Sequence, residues 1–119
     1  MNRLQFFEDG VVPIEFLGVA DEMLKEMHFA QSAWAVYAFR VSKEHKQSVE
    51  MHMRLKMPWS FHQARQLKED FREIKKNLKS QGFQACVTSC DADGPDYRRW
   101  FRFVGFTKVT CLYVAHEAL

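Results

Sequence analysis

No apolar run among the 119 residues approaches the roughly 18 to 20 needed to cross a bilayer. The first ten residues, Met1 to Gly10, hold neither a long apolar stretch nor a small-residue cleavage site, so no secretory signal is visible. Cysteine is scarce and odd in number: Cys86, Cys90 and Cys111. A disulfide framework wants an even count in a loop-rich secreted chain, so reduced, mostly buried thiols in a cytoplasmic setting are expected. Cys86 and Cys90 stand close together but without a second pair, which gives no zinc-ligand spacing. Internal repeats, low-complexity segments and domain linkers are also missing. A formal charge of only +2 implies no nucleic acid by itself.

What is present is a globular composition, 47% apolar and 14% aromatic, in a length that fits one domain over residues 1–119. Residues 3–7 read as a short strand and Glu8-Asp9-Gly10 as a turn. Val11 to Phe16 is the candidate partner strand, confined to an edge by Pro13. From Leu17 to Phe29 the apolar spacing, with acids early and a base late, reads as a helix. Ser32 to Val41 is apolar on both pleat faces, as in the middle of a covered sheet. Ser42 to Gln47 is a hairpin connection. Ser48 to Met57 then alternates, with Val49, Met51, Met53, Leu55 and Met57 facing in and Glu50, His52, Arg54 and Lys56 facing out.

The strongest local pattern is a long helix opened by Ser60 and Gln63, a capping-box pair, with Phe61, Ala64, Leu67, Phe71, Ile74 and Leu78 on one face. Lys79 and then Gly82 supply its stop. Phe83 to Thr88 reads as a strand, and Asp93-Gly94-Pro95 restarts a short helix that carries Tyr97 to Val104 and stops at Gly105-Phe106. Tyr97, Trp100, Phe101 and Val104 share one face of it. Thr107 to His116 is a last strand.

This order of elements, over about residues 32–116, resembles the second half of the GCN5-related N-acetyltransferase (GNAT) fold; the most specific words are Asp93-Gly94-Pro95, Phe101 and Gly105-Phe106. The resemblance implies an α+β single domain: a mixed, mostly antiparallel sheet with a long central helix and a short C-terminal helix packed on it. It also implies acetyl-CoA as cofactor, its diphosphate held by a glycine-containing loop at the start of the long helix, where free amides and the helix dipole meet anionic oxygens. Here that turn is Trp59, Ser60, Phe61, His62 and Gln63, without glycine and preceded by Pro58. The family tyrosine that protonates the leaving thiolate falls on Phe101, which has no proton to give. Tyr97, one turn earlier, is the substitute acid; its alternative role is packing the helix onto the sheet. The layout and size of the long helix also resemble the GNAT-like internal virion proteins of short-tailed bacteriophages. For such a protein the setting would be the host cytoplasm or the virion.

Glu50 is the candidate base for a substrate amine, with His52 as alternative; the competing reading is the wet face of a strand. A nucleophilic Cys86 or Cys90 lacks a histidine at fixed spacing, and inert thiols are expected. Asp91, Asp93 and Asp96 suggest a metal loop, but the remaining calcium ligands are missing and helix capping explains them better. Arg98, Arg99 and Arg102 beside Trp100 and Phe103, with Arg65, Lys68, Arg72, Lys75, Lys76 and Lys79, could track a nucleic-acid backbone. Interleaved Glu69, Asp70 and Glu73 favour instead a solvated face of ion pairs. Surplus aromatics around Trp100 and Phe103 point to a protein partner. Three roles follow: a catalytically degenerate GNAT-like binding or structural component without cofactor, an active acetyl-CoA-dependent N-acetyltransferase, and a small nucleic-acid-associated regulator.

Overall fold

The computed structural model describes residues 3–45, 47–58, 60–89, 98–111 and 114–119, and gives positions 98, 100, 109–111 and 114 by backbone alone. Its strands are β1 (Gln5–Phe6), β2 (His28–Gln31), β3 (Ala35–Val41), β4 (Ser48–Leu55), β5 (Ala85–Ser89), β6 (Lys108–Cys111) and β7 (Val114–Ala118). Its α-helices are α1 (Asp21–Leu24), α2 (Phe61–Ser80) and α3 (Arg98–Val104). One sheet runs β1-β2-β3-β4-β5-β7-β6. Every pairing is antiparallel except β4 with β5, which is parallel and is bridged by α2 as the crossover helix. No helix among the described residues is long and apolar enough to cross a membrane.

β3 sits inside the sheet and is buried on both faces from Ala35 through Phe39, as its unbroken apolar run requires. On one face Tyr37, Phe39, Val49, Met51, Cys86 and Ala115 pack with Leu67, Phe71, Ile74 and Leu78 of α2 and with Phe106. On the other face Phe29, Val36 and Ala38 are covered by Phe16 and Met27, with Val19, Met23 and Leu24 around them. The Gly105-Phe106 word is a packing device. Phe106 stacks on Phe71 at 4.3 Å between ring centroids. Gly105 has φ +132, and a Cβ there would lie 3.1 Å from the Phe71 ring.

α2 begins and ends as its sequence dictates. Ser60 Oγ accepts from the Gln63 amide at 3.1 Å. At the other end Gly82 takes φ +92 and donates to the Lys79 carbonyl, while the Phe83 amide reaches Leu78, a Schellman stop. The capping box is only half formed. The Gln63 side chain donates instead to the Trp34 carbonyl at 3.1 Å, tying the helix start to the entry of β3.

Three sequence expectations are corrected. Leu17 to Phe29 is not one helix but a 3-10 turn ending at Phe16, then α1, then β2. Gly18 at φ +100 cannot continue a helix, and Phe29 pairs with Ala38 in the sheet. The partner of β1 is β2, with Gln5 opposite Gln31, because the 3-10 turn at Ile14–Phe16 takes the segment after Pro13 out of strand geometry. The last strand is two, β6 and β7, paired antiparallel with a register shift between Val109 and Cys111.

One buried carboxylate ties the first residues of the chain to the middle of the fold. Asp70 of α2 is fully buried; its Oδ1 accepts from Arg3 Nε at 3.0 Å, and its Oδ2 from Ser32 Oγ at 2.5 Å and Tyr37 Oη at 2.8 Å. The Tyr37 phenol is held well above its usual 10.0, first by burial and then by Asp70, so it stays a donor. Removing Asp70 strands two buried hydroxyls and a cation. Asp70→Ala is expected to lower unfolding free energy by about 3 kcal/mol in urea melts, and Arg3→Ala, with a partly exposed side chain, by about 1 kcal/mol. Gly105→Ala is expected to lower the melting temperature by several degrees, at about 1 kcal/mol or more, from the strained φ and the Phe71 contact.

Candidate functional site

The pairing between β4 and β5 stops early. Registered pairs run from Ser48 with Ala85 to Met51 with Thr88, where Thr88 Oγ1 also donates to the Met51 carbonyl at 2.9 Å. Beyond Met51, β4 continues through Leu55 beside β3 alone, while Ser89 pairs with Val114 of β7. Among the described residues the two parallel strands are therefore paired no further than Met51 and Thr88, at their carboxyl ends. In open sheets, ligands enter where neighbouring strands diverge at their carboxyl ends.

Glu50 and His52 lie where this pairing ends, on the sheet face that carries α1. Glu50 is not a free base. Arg40, directly opposite it in β3, donates from Nε at 2.9 Å and from Nη2 at 2.7 Å to the same Oε2, and also lies 3.9 Å from Glu26. A loop over residues 42–47 would set Arg40 across from Val49; the observed register, with Val41 opposite Val49, is one residue off and brings Arg40 to Glu50. Nor is this simply a wet strand face. Glu50 and His52 are half-buried, and the exposed Arg54 lies over the Phe16 ring at 5.1 Å.

His52 differs from its neighbours. Its Nε2 is buried with no hydrogen-bond partner among the described residues. Burial lowers its pKa from 6.5; Arg40 and Arg54 push the same way and Glu50 opposes them. The imidazole is thus neutral at pH 7, with a ring nitrogen able to accept a proton.

At the start of α2 two backbone donors are committed. The Gln63 amide goes to Ser60 Oγ, the Ala64 amide to the Ser60 carbonyl, and Pro58 has none. Gln63 is buried, with its Oε1 unpartnered. The exposed His62 sets its ring edge-on to Trp34 at 5.1 Å, and Phe61 is 71% exposed. With no glycine at this turn and two bulky side chains on it, these residues do not fit a diphosphate cradle. Trp59 and Tyr97 lie outside the described residues, as do Cys90 and the Asp91–Asp96 run. Phe101 is half-buried and packs edge-on to Phe106 at 6.0 Å, a core contact. Cys86 is buried and its thiol is pushed up to about 12, by burial and then by Glu117, which makes it a poor nucleophile. Among the described residues no group of three His, Cys, Asp or Glu side chains could hold a metal ion.

The depressed His52 pKa sets a pH dependence. The unfolded imidazole takes a proton more readily than the folded one, so stability is full above pH 6.5 and falls as pH descends through it. NMR titration of the His52 ring is expected to show a midpoint below 6.5, and His52→Gln to flatten this part of the stability profile.

No family model matches the sequence, and no curated protein matches it. Two solved structures do match the fold. An IAA acetyltransferase from Bacillus cereus superposes with TM-score 0.66 at 10% identity, over 98% of both chains. A Bacillus subtilis acetyltransferase in complex with CoA superposes with TM-score 0.62 at 12% identity, over 98% of this chain and 97% of the other. The parallel β4–α2–β5 crossover and these two superpositions establish that the chain has the GNAT fold.

Proposed function

We propose that this chain uses the GNAT frame for binding rather than for acetyl transfer, as a catalytically degenerate binding or structural component. The observation that carries this reading is the state of Glu50. Arg40 grips Glu50 through two N–H groups at 2.7 and 2.9 Å, both on Oε2. A proton from an amine could therefore be taken only at Oε1, on a carboxylate that Arg40 holds in place. The glycine-free start of α2, preceded by Pro58, supports it independently. A place in a phage particle, which the resemblance to internal virion proteins implies, is one form of this role. Exposed Phe103, Met57 and Phe61 offer contact surface for such assembly.

A second reading, an active N-acetyltransferase, is favoured by His52. Its neutral imidazole stands where the pairing of β4 with β5 ends, and could accept the proton of an amine if its buried Nε2 became reachable. Under that reading Glu50 tunes the imidazole and is not itself the base.

Calorimetry with acetyl-CoA separates the two. No heat is expected up to about millimolar ligand, an affinity below about 4 kcal/mol. Binding accompanied by thioester turnover that His52→Ala abolishes and Glu50→Gln retains would overturn the degenerate reading and establish the second.

A further inference from the structure

We propose that the outer face built by α2 and α3 binds the phosphodiester backbone of nucleic acid, with duplex DNA as the form it fits. The exposed positions of α2 after its first turn are Arg65, Lys68, Arg72, Lys76, Lys79 and Ser80. The five cations recur at steps of three and four residues, so they form one stripe along the helix. From Arg65 to Lys79 the stripe covers about 21 Å of axis. A DNA strand places about six phosphates over that length. α3 extends the face with exposed Arg99 and Arg102, and Lys68 Nζ sits 5.3 Å over the Phe103 ring where the two helices meet.

The acids interleaved in α2 do not neutralise this stripe. Asp70 is buried under Arg3, Ser32 and Tyr37, and Glu73 accepts the Arg3 amide at 3.1 Å. Only Glu69 turns to the stripe, pairing with Arg72 at 3.2 Å; among the described residues the other six cations have no carboxylate within 4 Å. Meanwhile the opposite face is acidic. Residues 8–26, which cover the far side of the sheet, carry Glu8, Asp9, Glu15, Asp21, Glu22 and Glu26 against Lys25 alone. The net charge of +2 is therefore a difference between two faces of opposite sign, which would orient the molecule on a polyanion.

Two features select the partner. The exposed positions from Arg65 to Lys79 are all charged while the apolar face of α2 is spent in the core, so no apolar surface is left there to enter a lipid headgroup layer. Lys68 caps the exposed Phe103 ring, which removes it as an open platform for unpaired bases and favours contact with a backbone. The stripe lies on the solvent side of α2, so its occupancy requires nothing at the carboxyl ends of β4 and β5.

Fluorescence anisotropy with a labelled duplex of about 30 base pairs tests this. Binding is expected at about 50 mM salt and is expected to weaken about 100-fold by about 200 mM, as for roughly four phosphate contacts. Arg65→Glu/Lys76→Glu is expected to lose at least tenfold in affinity at low salt, while Lys25→Glu/Lys43→Glu, an equal charge change on the other face, stays within about twofold. Circular dichroism checks that both variants fold; if the first does not, Arg99→Glu/Arg102→Glu on α3 takes its place with the same expected loss. No binding up to about 100 µM protein at low salt, equal losses in both pairs of variants, or capture by phosphatidylserine vesicles or a polyglutamate peptide but not by DNA would each overturn the proposal.

Discussion

Asp70 is the point on which the packing of this molecule turns. It is a charged group placed at the centre of the helix–sheet interface, where an unpaired carboxylate would be prohibitively costly. The fold surrounds it with one cation from the segment before β1, one hydroxyl from the turn before β3 and one phenol from β3 itself. These partners come from three separate stretches of chain, so a single side chain fixes how the N-terminus, the central strand and α2 sit together. The Gln63–Trp34 bond does the same at the start of α2. Between them they hold the long helix against β3 and the turn that enters it.

That rigidity frames the functional conclusion. The parallel pairing of β4 with β5 ends at Met51 and Thr88, while β4 runs on beside β3 to Leu55. Around it, the groups that acetyl transfer would call on are otherwise engaged: Glu50 with Arg40, the Gln63 amide with Ser60, Phe101 with the core. Among the described residues the buried side-chain polar atoms without a hydrogen-bond partner are His52 Nε2 and Gln63 Oε1.

Charge tells a parallel story. The composition gives +2, a number that argues for nothing, yet the fold separates the basic helices from the acidic segment of residues 8–26 by the full thickness of the sheet. Ion pairs that helical spacing suggests, such as those of Glu73 with the lysines of α2, are pre-empted by the chain's N-terminus, because Arg3 approaches from outside the helix.

By itself the sequence determined the elements whose signals are local. These are the buried β3 run, the alternating β4, α2 from its Ser60 cap to its Gly82 stop, and the Gly105-Phe106 end of α3, together with the fold whose order they follow. The absence of glycine before α2 and the Phe101 substitution were likewise readable residue by residue. What only the tertiary structure decided depends on which distant residues meet. Residues 17–29 have helical spacing, but pairing of Phe29 with Ala38 outweighs it. Asp70 looks like one more surface acid until Arg3 reaches it from 67 positions away. Glu50 looks like a base until Arg40 closes on it across the hairpin. Periodicity records which face of an element a side chain occupies; the partner it finds there is set by long-range packing, which no window of neighbouring residues contains.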